Sequence, residues 1–354
     1  MSNRNSNEQL IFINVLKSIS CICVLIGHVI KGIIKAGIDV SPILYHISVY
    51  VYLFHVPCFF FASGYLYANK QLGDINQYAH FIIRKLIILG VPYFSCSIFY
   101  LFFSSFLSSE MNTTYASNAV MTLWYEPVAQ YWYLYALLEF FIVFPLVEIV
   151  FGRLNKVWIV LALALLAMFV DTDIVCLRYI VQYAVFFELG AYFNRNDVLN
   201  KININGRQLL IYCCVGSVTV YFCYSIFREN VLLEQSQILK CTAMILLVLA
   251  TLGISVAIAE EKNYVRTFLN WLCKYSLYVY LLHTWFSGTC RIILRKIGIT
   301  DCWLQSIFGI VIGLAGSILA AMIIRRFSIL RFWIEPMTVI KHLSSKADKN
   351  RSAC

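Results

Sequence analysis

The chain has 354 residues, 61% of them hydrophobic and only 13% charged, with a mean hydropathy of +0.76. A soluble domain is close to half apolar and a quarter charged, so a soluble globular protein is excluded. The net charge of +10 comes from basic residues dispersed between apolar runs and gathered in the tail, which excludes the basic stripe of a nucleic-acid-binding module.

Apolar runs near the ~20 residues that carry a helix across ~30 Å of hydrocarbon recur from end to end with short polar connections. They predict helices at 10–34, 45–68, 84–107, 131–151, 157–171, 174–193, 208–227, 238–259, 268–290 and 303–324. The first begins at Leu10 and carries Lys17 and His28, which suits a spanning helix better than a cleaved signal peptide. The fifth is short and the sixth carries Arg178, Gln182 and Glu188, so these two could form a tilted or re-entrant pair. The expected architecture is all-α: a polytopic integral membrane helical bundle of about ten transmembrane helices over residues 1–326, then a basic tail over 327–354. Thirteen cysteines, an odd number, sit mostly in apolar runs (Cys21, Cys23, Cys213, Cys214, Cys241) without Cys-x-x-Cys spacing, so neither a disulfide framework nor a zinc motif is expected.

Orientation follows the Lys/Arg bias. With the N-terminus inside, the inner segments hold Arg4, Lys70, Arg84, Lys85, Arg153, Lys156, Arg195, Lys201, Arg207, Lys262 and Arg266 and the basic tail from Arg325 onward. The outer segments hold fewer, namely Lys31, Lys35, Arg228, Lys240, Arg291, Arg295 and Lys296, and the segment from Ser108 to Gln130 has none. Both termini are therefore expected to be cytoplasmic, and the tail after Phe327 to lie along an anionic leaflet before a disordered end.

An ionisable side chain inside a bilayer helix costs at least ~2.5 kcal/mol, so it needs a partner, a wet cavity or a task. The candidates are Lys17 and His28 in the first helix, His55 in the second, Glu139 in the fourth, Arg178 and Glu188 in the sixth, and Lys274 and His283 in the ninth. Eleven helical steps bring His28 back to nearly the face of Lys17, ~16 Å further along the axis. His28, His55 and His283 all fall in the outer half of their helices, at one depth. A neutral imidazole there can take a proton from a hydroxyl and return it to a leaving group; the bland alternative is a hydrogen bond to a neighbouring helix. Arg84 and Lys85 open the third helix at the inner surface, as ordinary anchors or as holders of a donor's phosphates. Tyr131, Trp132, Tyr133 and Tyr135 form an interfacial belt or a sugar-stacking face, and Glu139 expects a partner such as Lys274 or a histidine.

Several of these segments resemble the acyltransferase-3 family of bacterial membrane proteins. Asn14 to Lys17 followed by Leu25-Ile-Gly-His28 is similar to the family's first-helix pattern of a basic residue and, after ten positions, histidine. Phe54-His-Val-Pro-Cys-Phe-Phe-Phe-Ala-Ser-Gly-Tyr65 resembles the second-helix signature, and Arg84-Lys85 to Val91-Pro-Tyr93, Tyr131-Trp-Tyr-Leu134 and Tyr275 to His283 follow in the usual order. Asn14 and Lys17 stand where many members have aspartate and arginine, so the usual carboxylate–guanidinium pair is absent. The resemblance implies an O-acyltransferase of the inner membrane with acetyl-CoA as acyl donor, a sugar or polyprenyl-linked glycan as acceptor, and no metal. It implies His28 as catalytic with Lys17, His55 and His283 around it, and Arg84 and Lys85 toward the donor; Trp132 and Glu139 are expected to face the acceptor. The alternative from another class is a transporter of glycan intermediates, in which buried ionisable residues also line a central cavity.

Overall fold

The computed structural model describes residues 6–70, 72–106, 119–152, 156–201, 216 and 237–351, and every regular element among them is helical. The first helix, α1, runs Ser6–Lys35. Helix α2, Pro42–Tyr67, starts on Ser41, whose hydroxyl accepts the Leu44 N–H, with Pro42 pre-set for the first turn. Asp74 caps α3, Ile75–Lys85, which passes through a π-helical turn, Leu86–Gly90, into α4, Val91–Phe106. There follow the short α5, Ala119–Thr122, then α6, Trp132–Phe151, α7, Val157–Phe169, α8, Val175–Arg195, and α9, Val198–Lys201. The chain is described again in α10, Gln237–Glu260, and in α11, Tyr264–Leu272, capped by Asn263. Helix α12, Ser276–Lys296, is followed by α13, Cys302–Ile324, whose first N–H groups bond to Asp301, and then by α14, Ser328–Phe332, and α15, Pro336–Arg351.

Among the described residues six helices are long and apolar enough to cross a membrane: Leu10–Lys35, Pro42–Tyr67, Ile75–Ser105, Ala129–Phe151, Gln237–Glu260 and Cys302–Ile324. Helices α8 and α12, at 21 residues each, have the length but carry too much polar character to join them. The helix expected at 208–227 lies outside the described residues.

Three expectations change. The third helix starts nine positions early, at Ile75 rather than 84, because Asp74 supplies a cap. The ninth is broken: residues 264–272 form the separate α11, and Cys273–Tyr275 is a 3-10 turn, so Lys274 is an exposed connection residue and not part of a spanning helix. The tail is helical through Arg351. Its root is pinned by Arg325, which pairs with Glu335 at 2.6 Å and donates to the Lys274 carbonyl at 2.8 Å, while Arg331 holds the other Glu335 oxygen.

Helix α1 is the central column and packs on α2, α10, α12 and α13. It runs parallel to α12: Cys21 lies against the Ser276 carbonyl, His28 against His283, and the Ala36 carbonyl accepts from Arg295. The closest crossing is α2 on α8, where the helices meet at two glycines. A Cβ on Gly64 would lie 1.8 Å from the Phe187 carbonyl oxygen, and one on Gly190 2.0 Å from that of Phe61. Small residues let helix backbones approach where lipid provides no hydrophobic drive. The start of α1 and the end of α13 share one end of the bundle, since α1 bonds to α11, and Arg325, just after α13, to the turn before α12.

Candidate active site

The parallel pairing of α1 and α12 brings two of the histidines into ring contact, His28 and His283, with centroids 5.1 Å apart. Tyr52 of α2 lies 5.8 Å from His28 and 4.9 Å from His55, so one phenol ring links His55 to the His28–His283 pair. His283 is fully buried; its Nδ1–H donates to the carbonyls of Val279, at 2.7 Å, and Tyr280, at 3.0 Å. Carbonyls only accept, so Nε2 is left carrying the lone pair, buried and without a partner. His55 is arranged likewise, its Nδ1–H donating to the Val51 carbonyl one turn back. His28 is less enclosed than the other two. The site thus contains a partly open imidazole backed by two whose tautomers are set by their own helices.

Aromatic packing holds this arrangement. Tyr133 of α6 lies 5.6 Å from Tyr280 and shares a 3.3 Å hydrogen bond with Ser63. Gln130 donates to Thr284 at 2.8 Å, and its carbonyl accepts the Tyr280 hydroxyl. Gly27 gives Tyr52 its place, since a Cβ there would stand 2.9 Å from the ring. Among the described residues no group of three or more His, Cys, Asp or Glu side chains could hold a metal ion.

Other candidates lie elsewhere. Lys17 is on α1, ~16 Å below His28, beside Cys21 and Cys273. Arg84 is exposed, whereas Lys85 turns inward with its ammonium 3.4 Å from the Phe141 ring centre and 5.3 Å from that of Phe81. Trp132 stacks on Tyr179 with centroids 4.9 Å apart, on the α8 side of α6. Glu139 is hydrogen-bonded to Tyr135 one turn back and neighbours Tyr93 and Tyr179. The expected partner, Lys274 or a histidine, is therefore replaced by tyrosines, and the break before α12 leaves Lys274 exposed. Arg178 pairs with the exposed Asp173 at 3.3 Å.

Sequence reasoning passed over two groups. Tyr52 reads as one of several aromatics in an apolar run; only the tertiary fold shows that it touches two histidines. At the other end of α2, Tyr67 donates to Glu148 at 2.6 Å, and Glu148 pairs with Arg195 at 2.6 Å. Arg195 is also 3.8 Å from Glu188. Glu148 and Arg195 stand at helix ends, where a charge ordinarily meets water, so nothing in the sequence flagged them.

Residues 10–326 match the family model described as an acyltransferase domain. The chain is similar to nodulation protein NolL of Mesorhizobium japonicum, 25% identical over 225 residues. That stretch makes up 62% of this chain and 56% of the relative, so the chain spans about half the length of the curated protein it matches. No solved structure matches.

Proposed function

Because the chain belongs to the acyltransferase-3 family, we propose that it is an O-acyltransferase that moves an acetyl group from acetyl-CoA to a hydroxyl of a cell-surface or lipid-linked sugar. The observation that carries this reading is the chain of ring contacts from His283 to His28 and through Tyr52 to His55. In the proposed reaction His28 accepts the proton as the sugar oxygen attacks the thioester carbonyl. The tetrahedral intermediate collapses, the carbon–sulfur bond breaks, and His28 returns the proton to the departing thiolate. The His283 ring, in contact with His28 and with a lone pair left on its Nε2, can help to hold a protonated His28 in place. The reaction is set in the bacterial inner membrane, with both termini cytoplasmic. Arg84 and Lys85 are proposed to meet the donor's phosphates, with Lys17 below the site and Trp132 and Glu139 toward the acceptor.

The test is mass spectrometry of ester groups on surface glycans from a deletion strain complemented with wild type or with His28→Ala at equal membrane levels. Loss of one ester in the variant alone supports the assignment and identifies the acyl group. Unchanged esters with reduced glycan export would point instead to the transport reading.

A further inference from the structure

The outer end of α1 carries a feature that the acyl-transfer reading leaves unused. Lys31 and Lys35 occupy one stripe of the helix, one and two turns beyond His28. On the adjacent stripe, cations from α12 lie across the helix: an ideal Cβ on Gly32 would stand 2.6 Å from Arg291 Nη1, and Arg295 Nη1 donates to the Ala36 carbonyl at 3.3 Å. Lys240, near the start of α10, is a further electrostatic neighbour of Lys31. Among the described residues none of these five cations is ion-paired. Of the nearby acids, Asp301 is occupied in capping α13, and Asp39 is exposed.

We propose that this mouth, centred on Lys31 and Arg291, binds the diphosphate of a substrate and thereby presents the attached group to His28. Five like charges around one helix end repel one another, and that repulsion is relieved when an anion enters. Their position also runs against the usual depletion of Lys and Arg from outer loops. Two of them are held against the protein: the Lys31 ammonium lies 3.4 Å from the centre of the Tyr52 ring, the ring that touches His28, and Arg291, half-buried, lies against bare glycine backbone. Gly32 leaves the guanidinium close to the axis of α1, and its fork of N–H donors matches two phosphate oxygens. The cations stand one to two turns beyond His28, with Lys31 and Arg291 nearest, so a glycosyl diphosphate held by them would direct its sugar toward the imidazole.

This proposal rests on the acyl-transfer reading for its setting, and its test is a binding measurement that needs no turnover. Full-length protein in detergent is titrated with a polyprenyl diphosphate, with the polyprenyl alcohol of equal chain length, and with coenzyme A. The titrations are repeated for Lys31→Gln/Arg291→Gln, for Arg291→Lys and for Arg84→Gln. Expected is a preference for the polyprenyl diphosphate over the alcohol that weakens with added salt, falls roughly tenfold or more in the double variant and is partly kept in Arg291→Lys. Arg84→Gln should leave it unchanged. If coenzyme A is instead the ligand weakened by the double variant, the diphosphate site stands and its source is the donor. Equal binding of diphosphate and alcohol, or diphosphate binding untouched by the double variant while that protein elutes as wild type, overturns the proposal. Intact diphosphate binding with no acyl transfer would remove the enzymatic reading and leave the site.

Discussion

Arg195 is the only cation within ion-pair distance of either Glu148 or Glu188 among the described residues, and its side chain is 2% exposed. Glu188 is fully buried, and neither of its carboxylate oxygens has a hydrogen-bond donor. A buried ion pair gains little over an apolar substitute, but deleting one partner strands the other charge at a cost of about 3–5 kcal/mol. Arg195→Ala is therefore expected to lower the unfolding temperature of the detergent-solubilised protein sharply. Glu188→Gln removes a charge with no donors and is expected to stay within ~1 kcal/mol of wild type by the same measurement. An Arg195→Ala protein that melts with wild type would show that water reaches the carboxylates. The histidines illustrate the same dependence on neighbours: His283 owes its available Nε2 to the carbonyls of Val279 and Tyr280 on its own helix.

At the scale of elements, the α2–α8 crossing depends on the missing side chains of Gly64 and Gly190. The atoms a methyl group would strike are backbone carbonyls, which move only if the helices part. Gly190→Ala should thus cost about 1–3 kcal/mol or more through overpacking. It should also disturb Asn194, which donates to the Tyr65 carbonyl across the same crossing at 3.0 Å. Gly288, inside α12, is the contrasting case: nothing lies within 4 Å of its added Cβ. Gly288→Ala should be neutral or stabilise by up to ~1 kcal/mol, since alanine is the better helix former. Thermal unfolding of the two variants side by side checks both. The order of these effects reverses only if the crossing is looser than the backbone places it.

Across the whole molecule, the C-terminal segment is tied to the bundle at one end. Arg325 lies between Tyr275 and Tyr278, with its guanidinium carbon 5.0 and 4.9 Å from their ring centres, and Glu335 bridges it to Arg331. Ser95 of α4 adds a 3.0 Å hydrogen bond to the Trp333 carbonyl. Glu335→Ala should free this segment, so limited trypsin digestion is expected to cleave after Arg331 and Lys341 faster than in wild type. Equal cleavage rates would mean that burial of Ile334, Pro336 and Val339 suffices without the ion pairs. The sequence by itself determined that this is an all-helical membrane protein, where most described helices lie, and that histidines on three helices belong together. Hydrophobic run length and sparse charge dictate those things locally, because lipid forces each spanning segment to satisfy its own backbone. Tertiary structure alone decided that Tyr52 joins the histidines, that Glu139 meets phenols and not Lys274, and that Arg195 gathers two glutamates. It alone showed that cations from α1 and α12 converge above His28. Each of these is a contact between segments far apart in the chain, set by helix register and crossing, and neither quantity is recorded in the hydropathy of any single segment.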